Sequence, residues 1–157
     1  MKKLNLSRLK WRTWKSPRGK FVTCEKELTK ALAGKKSRGG NPADPFDVAL
    51  VRVPPGRTNW PKHSHTTQWE FFLVLNGRGQ VNVDREKQAV GPGDFFMQAP
   101  GHAHHIVNTG TEDLVYYLVA NNPPADICFY PNSNKWAVDP QGKVFRLKEA
   151  GYWDGEE

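Results

Sequence analysis

Residues 56–77 read GRTNWPKHSHTTQWEFFLVLNG, and this stretch decides how the rest of the chain is read. His63 and His65 stand two apart, Glu70 follows, and an apolar run closes on Asn76-Gly77. A second segment, residues 93–108, reads GDFFMQAPGHAHHIVN and holds His102, His104 and His105. The two segments contain all five histidines of the 157-residue chain. In a strand, residues two apart point to the same side, so His63 and His65 aim two imidazoles at one point. Imidazole binds Zn, Fe, Ni and Cu, and a carboxylate extends the choice to harder ions such as Mn. Glu70 has the wrong parity relative to His65 for one unbroken strand. A bend at Thr66-Thr67 would return it to the same cavity. His102 and His104 share a face and His105 takes the other. Two imidazoles, a carboxylate and a second histidine group point to a metal site.

Outward from this stretch the pattern is β. Alternation and β-branched residues predict strands at 47–53, 68–75, 79–84, 88–90, 95–98, 102–108 and 113–120. Asn76-Gly77 is a hairpin signal, and Gly91-Pro92-Gly93-Asp94 and Pro100-Gly101 are tight turns. After Asn121 the patterning weakens, and 127–130, 137–138 and 144–147 read as edge strands. Before residue 46, residues 20–25 read as a short strand and 27–32 as one or two helical turns closed by Gly34. Residues 34–45, GKKSRGGNPADP, read as an exposed loop. Short strands separated by turns indicate a sandwich or barrel.

Composition agrees. The length suits one domain with a sizeable core, and 26 Gly and Pro residues favour turns over long helices. No apolar run has the length of a membrane span, and no signal-peptide pattern follows the basic N-terminus. A cytoplasmic location is expected. Cys24 and Cys128 lack CxxC spacing, so they read as reduced, buried thiols rather than metal ligands. The net charge of +7 is unevenly spread. Residues 1–40 hold 13 Lys and Arg against Glu25 and Glu27, while the remainder holds 10 basic against 14 acidic residues. Leu4, Leu6, Leu9, Trp11, Trp14, Phe21 and Val22 are interspersed among those basic residues. The basic head is therefore read as packing on the body of its own or a partner subunit. It lacks the apolar periodicity of a DNA-reading unit, and nucleic acid is not expected as a partner.

The histidine segments resemble the two motifs of the cupins. The first motif is a glycine, then HxH, four residues, Glu, six residues and Gly, here His63, His65, Glu70 and Gly77. Gly56 stands one residue further from His63 than the usual first glycine. The second motif appears as Gly93, Asp94, Pro100, Gly101, His104 and Asn108, with the proline one residue late. The resemblance spans about residues 47–120. It implies an all-β, cupin-type jelly-roll β-barrel (double-stranded β-helix) with irregular N-terminal and C-terminal extensions. The corresponding division is 1–45, 46–120 and 121–157. It also implies one divalent transition metal (Zn, Ni, Fe or Mn) held by His63, His65, Glu70 and His104.

By parity, Gln68 and Phe72 line the interior, with Phe96, Gln98, His102 and Tyr117 as further pocket residues; Phe72, Phe96 and Tyr117 serve equally well as ordinary core. Trp69 and Phe71 point outward, towards the N-terminal segment or a homodimer interface. Two classes of function follow. One is an enzyme, either a sugar-phosphate-isomerase-like cupin or a dioxygenase using non-haem metal. Lys62, Arg57 and His102 are the nearby residues for a base or phosphate grip. The other is a non-catalytic small-molecule binder. A homodimer is expected, with no membrane association.

Overall fold

The apolar strands read from the sequence stack into two facing antiparallel sheets. The computed structural model describes residues 1–34, 44–139 and 142–156. Strand β3 (Phe46–Val53) pairs along its whole length with β10 (Leu114–Asn121), from Leu114↔Val53 to Asn121↔Phe46. The other edge of β10 takes β5 (Glu70–Asn76), which in turn pairs with β8 (Phe95–Gln98). Strands β1 (Arg12–Lys15) and β2 (Val22–Glu27) extend this sheet beyond β3, giving the order β1-β2-β3-β10-β5-β8. The second sheet is β7-β6-β9, built from β6 (Gly79–Val83), β7 (Glu86–Val90) and β9 (His104–Asn108). This is the arrangement of a jelly roll.

The core lies between these sheets. Val51, Val53, Phe72, Val74, Leu114 and Tyr116 from the large sheet meet Val81, Val90 and Ile106 from the small one. Each such side chain taken out of water contributes about 1.5–3 kcal/mol before entropy is subtracted. Two motif residues serve this frame rather than any chemistry. Asn108 is fully buried. Its amide donates to the carbonyls of Val53 and Glu112, each at 2.7 Å, and its Oδ1 accepts from Gly110 N at 2.9 Å. Gly77 has φ +80°, and a Cβ there would stand 2.5 Å from the Asp113 carbonyl oxygen. Only glycine fits such a position.

A third sheet has the order β13-β12-β11-β4, and among the described residues the three sheets do not close into one continuous barrel. It joins β4 (Ser64–His65) to β11 (Asp126–Tyr130), β12 (Lys135–Asp139) and β13 (Lys143–Phe145).

The structure departs from the sequence reading in four places. Asn76-Gly77 turns the chain without making a hairpin, because β5 and β6 belong to opposite sheets. The two-residue hairpin is instead at Asp84-Arg85, between β6 and β7, where Asp84 has φ +48°. The N-terminal segment is not irregular throughout: the expected strand and helical turns are present as β2 and α1 (Leu28–Ala33), and β1, an unexpected strand, joins β2 in the large sheet. Of the C-terminal strands expected at an edge, only β13 ends a sheet. The expected 34–45 loop falls mostly outside the described residues.

Basic residues of the N-terminal segment are engaged within the chain. Lys26 stacks on Trp11 at 4.8 Å, on the ring that Arg52 of β3 also meets at 4.8 Å, and Arg12 lies 3.8 Å over Trp14.

Candidate metal centre

His63 and His104 face each other across a two-way backbone bridge. His63 N donates to His104 O at 3.1 Å, and His104 N donates to His63 O at 2.8 Å. Their ring centroids are 4.8 Å apart. His65, two residues on in β4, turns its ring to the same side, 5.1 Å from that of His63. The bend demanded by the parity of Glu70 is present, and Asp126 makes it. One Asp126 carboxylate oxygen accepts from Thr66 N at 3.0 Å and Thr67 N at 2.8 Å, and from both threonine hydroxyls. The chain reverses around this anion and enters β5 with Glu70 facing the histidines. Gly101, at φ +87°, donates its N–H to His65 O at 2.8 Å and fixes the neighbouring turn.

The hydrogen bonds select the ring nitrogens. His63 Nδ1 lies 2.8 Å from Pro61 O, His104 Nδ1 3.2 Å from His102 O, and His65 Nδ1 2.5 Å from the other Asp126 oxygen. All three partners are acceptors, so each Nδ1 is placed to donate; this leaves Nε2 of His63 and His65 to bind, whereas His104 Nε2 donates to Glu70 and would exchange that proton for an ion. His104 Nε2 is 2.7 Å from Glu70 Oε2, and His65 Nε2 is 4.0 Å from the same oxygen. Ligand atoms of His63, Glu70 and His104 all lie within 4.8 Å of one another.

Electrostatics prepare the cluster. Burial, opposed by Glu70 and assisted by the other two imidazoles, pushes His63 down to about 4, so it is neutral at pH 7. Burial also opposes the charge on His65, but the Asp126 hydrogen bond and the charges of Glu70 and Asp126 outweigh it and raise its pKa. Burial likewise opposes the Glu70 carboxylate, yet the His104 hydrogen bond and the imidazoles hold its pKa below the usual value. Burial raises the Asp126 pKa as well, and the His65 and Thr67 hydrogen bonds outweigh it, leaving the carboxyl far below its ordinary range. The two imidazoles of His63 and His104 with the Glu70 carboxylate fit a divalent transition metal; His65, 4.0 Å from the same carboxylate oxygen, stands beside this trio rather than within it.

The expected pocket residues divide between two cavities and the core. Gln68 and Glu70 line a cavity of about 250 Å³ whose wall includes Glu25, Glu27, Asp47 and Asp139. Phe96, Gln98 and His102 line a second cavity of about 680 Å³ beside β6 and β7. Phe72 belongs to the core, stacked on Phe96 at 4.9 Å. Tyr117 is not brought to the site. It alternates with Tyr116 and Leu118, and Tyr116 is the tyrosine in the core. His102 stands outside the cluster, exposed and bonded to Asp84 Oδ2 at 2.8 Å. Lys62 and Arg57 also point elsewhere, donating to the carbonyls of Asp84 and Gly19. Trp69 remains exposed, and Phe71 packs against Phe95 at 6.2 Å.

Sequence reading missed Asp126 and Cys128. Both come from β11, whose pairing with β4 has no local signal in the sequence. Both cysteines are free and buried. They are the unpaired, buried thiols expected from their spacing, and Cys128 Sγ in addition lies within 4.8 Å of ligand atoms of His63 and His65.

Comparison with known proteins accords with this geometry. The profile of the cupin domain family matches residues 49–120, from within β3 to β10. The chain carries a cupin domain. Auxin-binding protein 1 of Arabidopsis thaliana is 30% identical over 118 residues, 69% of this chain and 56% of that protein. The match spans between 27% and 56% of the length of the first curated relatives. Among solved cupin-fold structures, a provisionally assigned sugar phosphate isomerase of Acidithiobacillus ferrooxidans superposes with a TM-score of 0.76 at 24% identity. It covers 93% of this chain and 92% of its own. A cupin-superfamily sugar phosphate isomerase of Silicibacter pomeroyi superposes with a TM-score of 0.75 at 23% identity, covering 92% of each chain. At these identities the likeness is one of fold. No helix among the described residues is long and apolar enough to cross a membrane.

Proposed function

We propose that this cupin binds one divalent transition metal (zinc, nickel, iron or manganese) through His63, His65, Glu70 and His104. It would use the ion on a small polar organic molecule. The observation that carries this reading is the set of three imidazoles, each with Nδ1 engaged by an acceptor, gathered at buried Glu70. When bound, the ion would supply Lewis-acid polarisation of a carbonyl or hydroxyl oxygen.

The cavity of about 250 Å³ that reaches Glu70 is the route for that molecule. Its wall supplies an acid–base group, Glu25. Burial raises the Glu25 pKa against the opposing hydrogen bond from Trp14 Nε1, at 2.5 Å. A carboxyl whose pKa is raised in a cleft is a candidate for proton transfer.

Among the described residues the wall holds Glu25, Glu27 and Asp139 against Lys30, leaving aside Asp47, which has a partner of its own. That balance favours an uncharged or cationic molecule over a phosphate ester on this side. The isomerase chemistry named for the two structural neighbours is therefore tested first on free sugars, with their phosphates as the comparison.

The experiment begins with metal content of protein purified without a nickel column. His63→Ala combined with His104→Ala should abolish it, and unchanged content would overturn the reading. Turnover of a sugar panel and oxygen consumption then separate isomerase from dioxygenase. With each metal tried, absence of both alongside measurable ligand affinity would favour the non-catalytic binder. A homodimer and a cytoplasmic location also belong to this proposal, with the outer face of β5 and β8 as the surface to test.

A further inference from the structure

The β4–β11 pairing brings a sulfur to the histidines. Cys128 is the direct partner of His65, and cross-strand partners present their side chains on the same side. His63 shares that side, so the three meet, with one ligand atom from each within 4.8 Å of the others. Cys128 is buried and unpaired, and the Tyr130 ring, two residues on, lies 5.9 Å from that of His63. Burial pushes the thiol up to about 12, against the Tyr130 hydrogen bond. Without a cation it is an inert neutral group, because reactivity and ligation both need the thiolate.

We propose that Cys128 is a metal ligand, and that His63, His65 and Cys128 form a second donor set for thiophilic ions such as cadmium, zinc or cuprous copper. The two sets overlap at His63 and differ in their anionic partner, the Glu70 carboxylate or the Cys128 sulfur. Hard ions prefer the oxygen and soft ions the sulfur. Binding to the second set forms one metal–sulfur bond and releases the thiol proton to solvent. The inference shares His63 and His65 with the function proposed above and does not need Glu70.

The test is titration of the full, metal-free chain with cadmium, followed by the ultraviolet thiolate-to-metal charge-transfer band and by proton release in weak buffer. Manganese binding, read by electron paramagnetic resonance, reports the carboxylate set. The band is expected in the wild type, in Glu70→Gln and in Cys24→Ser. It should be absent from Cys128→Ser, with cadmium affinity lower by about tenfold or more. Manganese should bind Cys128→Ser and be lost from Glu70→Gln. A wild-type protein that shows no band at saturating cadmium overturns the inference, as does a band retained in Cys128→Ser. Manganese binding without the band would leave the carboxylate site standing alone. The band without binding of manganese, iron or nickel that is lost in Glu70→Gln would sink the carboxylate site and keep the sulfur one.

Discussion

Asp126 does two things with one carboxylate. One oxygen collects the N–H groups of Thr66 and Thr67, and the other fixes His65. Asp126→Asn keeps the shape but replaces one acceptor oxygen with a donor. Loss of such a far-side partner typically weakens metal binding about 10–100-fold, and competition with a chelator of known affinity would show the drop. Glu25→Gln is expected to behave differently, leaving metal content intact while turnover on any accepted substrate falls. Its effect on rate is expected at about 100-fold or more, the usual scale for a lost acid–base group. The metal-free protein should also show a pH signature. His63 is lowered to about 4, so between there and the ordinary histidine value of about 6.5 the unfolded chain binds the extra proton. Stability therefore falls as pH drops through that window, by about 3 kcal/mol at most. His65 is raised, so its contribution is full below about 6.5 and is lost as pH rises through its folded value. Melting temperature of the metal-free chain, scanned against pH, should peak near 6.5 and decline on both sides.

At the scale of elements, the sequence was most readable where one strand carries its own evidence. Alternation located β3, β5, β8 and β10 to within two residues at each end, because one face of each is buried. The HxH spacing placed His63 and His65 on one side for the same reason. Partner choice was far less legible. Asn76-Gly77 has hairpin chemistry, yet β5 and β6 separate because their apolar faces oppose each other across the core. The two-residue β4 is too short to show a period, and its partner β11 lies some sixty residues on. For that reason Asp126 and Cys128 went unseen, and the expected pocket residues were spread over two cavities. Asn108 looked like a motif letter, and the structure makes it a clamp between the ends of β3 and β9 and the turn before β10. Asn108→Ala leaves the carbonyls of Val53 and Glu112 without their donor. It should cost about 3 kcal/mol, measured by denaturant unfolding, with metal stoichiometry unchanged in the folded fraction.

Across the whole molecule, two surfaces differ in character. The N-terminal basic segment is laced into the large sheet through Trp11, Trp14, Glu25 and Glu27. The opposite edge of that sheet is apolar and open, with Phe95 70% and Met97 58% exposed on β8 and Trp69 45% exposed before β5. If a second copy covers this face, as the proposed homodimer requires, Phe95→Asp combined with Met97→Lys should halve the mass seen by light scattering. An unchanged mass would place the interface elsewhere or remove it.

The reach of Asp126 into the site has a consequence for how such proteins diversify. The segment recognisable as a cupin ends at residue 120, whereas the residue that orients His65 comes after it. Kinship and working unit therefore have different borders. A descendant that kept His63, His65, Glu70 and His104 but exchanged its tail would inherit the same four proposed ligands with a different grip on any ion they hold. Motif comparison would call the two proteins alike while their metals, and so their chemistry, diverged.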